Sequence, residues 1–132
     1  MKHLEPLPEV VLDRQKLLQI LTNLISNARQ AFNDTDTIDK QVTISLRHCP
    51  SDQILISVSD NGVGIAQENL TRIFQHGFTT RREGHGFGLH SSAIAASEMD
   101  GILTVESSGP GKGATFTLEL PLRTMESENE TD

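Results

Sequence analysis

Hydrophobic residues recur in this chain with two different periods, and the longer period predicts two helices. From Arg14 to Phe32 they recur at helical spacing, and Asp13 is placed to cap this helix. The apolar stripe consists of Leu17, Leu21, Leu24, Ile25, Ala28 and Phe32. A second helix, rich in Ser and Ala, is predicted from about Leu89 to Met99. Its small side chains favour close packing on a sheet.

Strict alternation of apolar and polar residues marks most of the predicted strands. Strands are predicted at Val10–Leu12, Val42–Arg47, Ile54–Asp60, Leu103–Ser107 and Ala114–Leu120. Three of these have one apolar face and an opposite face of Thr, Ser and charged residues. A sheet with one apolar and one polar face is covered by helices on one side only. The pattern therefore predicts an α/β fold.

One carboxylate breaks the pattern at the end of a strand. Asp60 falls on the same strand face as Ile54 and Val58, where a charge is costly unless hydrogen-bond donors surround it. Gly62 and Gly64 follow and allow the backbone to turn tightly and approach a flat ligand. These residues predict that Asp60 recognises a ligand.

The long connection between Gly64 and Gly84 also indicates function, since long connections in compact domains usually serve one. It contains a predicted short helix, Gln67–Phe74, and then Arg81. The glycine-spaced turn Gly84–Leu89 follows and leads into the second helix. Backbone N–H groups in such a turn and the positive end of the helix dipole favour phosphate binding. A carboxylate that reads a base and a cradle for phosphate together predict a nucleotide site.

Two asparagines on the first helix suggest a metal site. Asn23 and Asn27 are four residues apart, share a helical face and lie beside the apolar stripe. Amide oxygens are acceptable ligands for Mg²⁺, which usually keeps waters and phosphate oxygens as its remaining ligands.

The composition of the chain limits the number of domains, the partners and the cellular compartment that we expect. A chain of 132 residues is expected to form one domain, and 18 acidic against 11 basic residues argue against nucleic acid or an anionic membrane as a partner. Cys49 is the one cysteine, which excludes an internal disulfide and fits a reducing compartment. No apolar run approaches the ~20 residues of a membrane span, and residues 1–8 lack a signal-peptide core. We expect a cytoplasmic domain without membrane contact.

Five motifs follow one another between about residues 10 and 121. They are Gln19–Ala28, Asp60–Gly64, Ile73–Phe74 with Phe78–Arg81, Gly84–Leu89 and Gly111–Phe116. In order and content they resemble the N, G1, F and G2 boxes and the closing glycine motif of bacterial sensor histidine kinases. The resemblance implies the Bergerat ATP-binding fold of the GHKL superfamily. That fold is a two-layer α/β sandwich with a mixed, mostly antiparallel sheet and helices on one face.

The resemblance also implies roles for particular residues. Asp60 would bind the adenine amino group, Asn27 would hold Mg²⁺, and Thr115 would support the adenine end. Asn23 and Arg81 would act in catalysis by placing the phosphates and approaching the γ-phosphate. The further implied nucleotide contacts are Gly62, Gly64, Ile65, Phe78, Thr80, Gly84, Gly86, Phe87, Gly88 and Leu89.

The implied function is that of a protein-histidine kinase in two-component signal transduction. The domain would bind Mg-ATP and position the γ-phosphate for a histidine on a separate dimerisation domain, and a response regulator would receive the phosphate later. Branches of the superfamily that hydrolyse ATP place a glutamate where this chain has Asn23, which cannot accept a proton at neutral pH. None of the five histidines is followed directly by an acid. The phosphoacceptor is therefore expected outside this chain.

Three alternatives remain open: a regulatory nucleotide-binding module without kinase activity, a Bergerat-fold ATPase, and a Ser/Thr kinase of the anti-sigma type.

Residues 1–9 are interpreted as a linker remnant, 10–122 as the catalytic domain and 123–132 as a disordered acidic tail. Alone, the fragment is expected to be a monomer that binds ATP and ADP.

Overall fold

The computed structural model describes residues 2–4, 13–32, 39–49, 52–75 and 88–121. Within these residues a five-stranded sheet is covered on one face by two helices. The elements are β1 (Lys2–Leu4), α1 (Arg14–Gln30), β2 (Val42–Cys49), β3 (Gln53–Asp60), α2 (Gly88–Glu98), β4 (Ile102–Glu106) and β5 (Ala114–Pro121). The strand order is β1-β2-β3-β5-β4, with β1 parallel to β2 and the other pairs antiparallel. The predicted α/β fold and sheet type are confirmed.

The core lies between the helices and alternate residues of β3 and β5. Their register pairs Val58 with Phe116 and Ile56 with Leu118, so the apolar side chains of both strands meet on one face. Strands β2 to β5 lie where alternation predicts them, because each must bury one face.

Helix α1 buries a slightly different stripe from the one predicted. Asp13 caps the helix as expected, with its Oδ1 accepting the Lys16 N–H at 3.1 Å. The row of fully buried residues is Ile20, Leu24 and Ala28. Ile25, assigned to the stripe from the sequence, is 36% exposed. A step of four residues keeps side chains on one row, whereas the next residue lies about 100° away around the helix.

Two other elements differ from expectation. Lys2–Leu4 pair with β2 as a short parallel strand, which the sequence pattern did not predict. Instead of a helix over Gln67–Phe74, the chain forms a short 3-10 helix, Gln67–Asn69, followed by turns. It has no side-chain N-cap, and helices shorter than ~12 residues are marginal in water without support from packing.

Two predictions concern segments outside the described residues, namely the strand at 10–12 and the tail from 123. Among the described helices, neither is long and apolar enough to cross a membrane.

Candidate functional site

A cavity of about 120 Å³ opens between the C-terminal half of α1, the end of β3 and the start of β5. Apolar side chains make up most of its wall, and a few polar groups interrupt them, as is typical of sites for small molecules. The lining residues are Asn27, Gln30, Ala31, Asp60, Val63, Gly64, Ile65, Ile73, Ala114 and Phe116.

Asp60 is the buried carboxylate of this cavity. It is only 9% exposed, and its Oδ1 accepts the Gly62 N–H at 2.9 Å. The backbone of Ala114 supplies a second hydrogen bond to the carboxylate. Burial raises the pKa of Asp60, while the two backbone hydrogen bonds act in the opposite direction. The predicted burial of Asp60 on the apolar face is confirmed, and the side chain offers an acceptor to whatever occupies the cavity.

The turn after β3 packs against both neighbouring segments of the site. The Val63 N–H donates to the Ala31 carbonyl oxygen at 2.8 Å, which holds the turn to the end of α1. On its other side the Val63 carbonyl oxygen accepts the Gly111 N–H at 2.7 Å. This double attachment brings Gly64 and Ile65 into the cavity wall, as their predicted roles require.

The two asparagines of α1 share a face, but they have different surroundings. Asn27 lines the cavity. Asn23 is directed at the first turn of α2, where its Nδ2 donates to the Gly88 carbonyl oxygen at 3.2 Å and to the buried Ser92 Oγ at 3.0 Å. Asn23 therefore fastens α2 to α1. The neutral side-chain oxygen of Asn27 fits the chemistry of a Mg²⁺ ligand.

Thr115 is not brought to the cavity. The register pairs Asp60 with Ala114, so Ala114 enters the cavity wall and Thr115 lies on the opposite face of the sheet. There its Oγ1 lies 2.6 Å from Ser59 Oγ. The alternation of β5 already contains this information, since Thr115 belongs to the polar face.

The remaining predicted residues fall into two groups. Gly88 and Leu89 begin α2, and Leu89 packs against the core. The others lie outside the described residues: Phe78, Thr80, Arg81, Gly84, Gly86 and Phe87.

Comparison with known proteins decides the family. The sequence profile described as "Histidine kinase-, DNA gyrase B-, and HSP90-like ATPase" matches residues 12–124. The chain belongs to this family. Within it the chain is similar to the sensor histidine kinase ZraS of Salmonella typhi, with 36% identity over 118 residues. That alignment covers 89% of this chain and 24% of ZraS, so the chain spans about a quarter of this relative's length.

Solved structures of histidine kinases have the same fold. Full-length ShkA in complex with AMPPNP gives a TM-score of 0.80 at 31% identity, covering 93% of this chain and 25% of the ShkA chain. The nucleotide-free catalytic domain of the histidine kinase ThkA gives 0.77 at 26% identity, covering 96% and 79%. The protein is thus a catalytic ATP-binding domain of the histidine-kinase type, as the five motifs predict.

The site of this histidine-kinase-type domain includes residues that belong to the sequence motifs but were not among the predicted nucleotide contacts. Ile73, Ala114 and Phe116 all contribute to the cavity wall. Phe74 contacts Phe116 edge to face, with ring centroids 6.2 Å apart, and its carbonyl oxygen lies 3.0 Å from His90 Nδ1. The two-residue period of β5 marks Phe116 as a core residue, but it does not distinguish a core side chain from one that borders a cavity.

The raised pKa of Asp60 makes the stability of the domain depend on pH in a defined direction. Relative to Asp60→Asn, the free energy of unfolding of the wild type should decrease as pH rises above 3.8 and through the raised pKa. The reason is that the folded protein binds this proton more tightly than the unfolded chain does. The stabilising contribution of the Asp60 proton is therefore complete below the ordinary pKa of an aspartate and is lost above the pKa of Asp60 in the folded protein. Urea unfolding of both proteins at a series of pH values measures this pH dependence. A difference in the free energy of unfolding that stayed constant with pH would contradict the prediction.

Proposed function

We propose that this domain binds ATP with Mg²⁺ and positions the γ-phosphate for transfer to a histidine on a separate dimerisation domain, in two-component signal transduction. In this proposal it is the catalytic part of a protein-histidine kinase. The observation that carries the proposal is the buried carboxylate of Asp60, which shares one cavity with the amide of Asn27.

The carboxylate suits the base of the nucleotide. Asp60 receives backbone hydrogen bonds from Gly62 and Ala114 and keeps acceptor capacity for a ligand. The exocyclic amino group of adenine is a donor and complements it. The apolar side chains of Ile65 and Phe116 in the cavity wall suit the flat faces of a purine ring.

The other polar end of the cavity suits the phosphates. Asn27 would hold Mg²⁺ through its side-chain oxygen, with phosphate oxygens and waters as the remaining ligands. The bound ion would neutralise phosphate charge, which is most of what phosphoryl transfer requires besides alignment. From the sequence we also assign Arg81 to the γ-phosphate. The glycine turn 84–88 is assigned to the phosphate chain on the same basis.

Transfer is favoured over hydrolysis by the chemistry of Asn23. An amide does not accept a proton from water at neutral pH, and this amide donates both its hydrogens to α2. The proposed partners are therefore a domain that carries the phosphoacceptor histidine and, through it, a response regulator. We place the work of the domain in the cytoplasm, where ATP is available and a free cysteine stays reduced.

Calorimetric titration with ATP and ADP, with and without Mg²⁺, tests the proposal. We expect the wild type to bind ATP more tightly when Mg²⁺ is present. In Asn27→Ala this enhancement should fall by about tenfold or more, the scale found even for residues that only support a metal ligand. Gln19→Ala shortens an exposed amide on the same helix and should behave as the wild type.

The outcomes separate the candidate functions. No binding of either nucleotide by the wild type would refute the proposal. An unchanged Mg²⁺ effect in Asn27→Ala would refute the role of that residue. Nucleotide binding without phosphate transfer to an added phosphoacceptor domain would instead favour the regulatory module.

A further inference from the structure

The hydroxyl of Ser107 joins the two loops that lie behind Asp60. Its Oγ donates to the Gly113 carbonyl oxygen at 2.7 Å and accepts the Ile65 N–H at 3.0 Å. The Gly109 N–H approaches the same oxygen at 3.3 Å. One hydroxyl offers one donor and two acceptor sites, so this side chain is fully used. Its partners belong to the turn after β3 and to the loop before β5.

Both backbone groups that hydrogen-bond to the Asp60 carboxylate depend on these loops. The peptide unit between Gly113 and Ala114 accepts from Ser107 through its carbonyl oxygen and bonds to Asp60 through its N–H. Because a peptide unit is planar, a hydroxyl that holds the carbonyl also orients the N–H. The second donor, the Gly62 N–H, lies in the turn whose Ile65 N–H is bonded to Ser107.

We propose that Ser107 is a positioning residue for Asp60. Its hydroxyl orients the two backbone donors that direct the carboxylate into the cavity, and so it sets the preference for a base with an exocyclic amino group. The inference rests on the proposed function, because it concerns how that nucleotide site selects its base. Among the described residues that line the cavity Ser107 is absent, so it acts through its neighbours.

A purely structural role for Ser107 predicts a different result. If the hydroxyl only tied the loops together, its removal would lower stability and leave the preference among bases unchanged. The loops also have ties of their own: the Gly111 N–H donates to the Val63 carbonyl oxygen at 2.7 Å, and the Gly113 N–H donates to that of Gly62 at 3.2 Å. We therefore expect Ser107→Ala to fold.

Titration of the full chain with ADP and with inosine diphosphate distinguishes the two roles. Inosine diphosphate carries a carbonyl oxygen where ADP carries the amino group, so the wild type should prefer ADP. Ser107→Ala should weaken ADP binding by about three- to tenfold and inosine diphosphate binding less, which lowers the ratio of the two affinities. Ser107→Cys keeps a weak donor of similar shape and should give an intermediate ratio. Ser108→Ala, at the exposed neighbouring residue, should keep the wild-type ratio.

A wild-type ratio in Ser107→Ala, even with a lower unfolding temperature, would overturn the positioning role while leaving the proposed function intact. If the wild type bound neither nucleotide, the proposed function would fail first and this inference with it. Should Ser107→Ala not fold, Ser107→Cys provides the same comparison, and an unchanged ratio in it would also overturn the role.

Discussion

Asp60→Asn should weaken the binding of both ATP and ADP by about 100-fold or more, or about 2.7 kcal/mol. The substitution keeps the shape of the side chain, so the packing of β3 against β5 is retained. It replaces a charged acceptor with an amide whose NH₂ group is a donor. The Gly62 and Ala114 N–H groups already donate to this side chain. The NH₂ group of the asparagine would add a further donor beside them and the adenine amino group, so some of these polar hydrogens would have no acceptor. Calorimetry at pH 7 measures the change.

Asp52→Asn is the matched control for this variant. Asp52 is exposed and lies just before β3, at the opposite end of the strand from Asp60. Its φ of 59° is a conformation that asparagine adopts readily, so the same chemical change should have little effect there. An Asp60→Asn affinity within about threefold of the wild type would show that the carboxylate does not recognise the base.

Gly113→Ala should be among the most destabilising single substitutions in the site, lowering the free energy of unfolding by about 3 kcal/mol or more. Gly113 has a φ of +72°, and an added Cβ would collide with the carbonyl oxygen of Asp60. Relief of that collision requires the start of β5 to move away from the end of β3. Nucleotide binding should weaken with it, because the Ala114 hydrogen bond to Asp60 crosses the same gap.

Gly111→Ala separates the collision from the cost of backbone conformation. Its φ of +79° is close to that of Gly113, yet a Cβ there meets nothing within 4 Å. The left-handed conformation alone should cost about 1 kcal/mol. Urea unfolding of the two variants measures the difference. Equal losses in the free energy of unfolding would mean that the start of β5 moves away from β3 without an energetic cost.

Much of the sheet and the position of Asp60 could be predicted because side-chain alternation records which face is buried. The buried residues Ile54, Val58 and Phe116 mark the inner face of the sheet. Asp60 lies an even number of residues from Val58, so its carboxylate must lie at the same face. The same rule, applied to β5, would have placed Ala114 rather than Thr115 in the cavity. The assignment of Thr115 came from the motif, which was given precedence over the period of the strand.

Other features leave no trace in the pattern of side chains. The pairing of β1 with β2 is made between main-chain groups, which every residue supplies. Ser107 bonds to main-chain atoms of Ile65 and Gly113, which lie 42 and 6 residues away in the chain. No periodicity records such contacts, so they become visible only once the fold brings the loops together.

The attachment of Asn23 to α2 constrains how this domain could evolve into an enzyme that activates water. A glutamate at this position would bring the general base of the hydrolytic branches, but it would also remove the two donors that satisfy Gly88 and Ser92. The carbonyl oxygen of Gly88 would then face a second acceptor. A lineage that changed residue 23 alone would therefore weaken this attachment between α1 and α2, while the Gly88 carbonyl oxygen would keep its hydrogen bond from Ser91 Oγ.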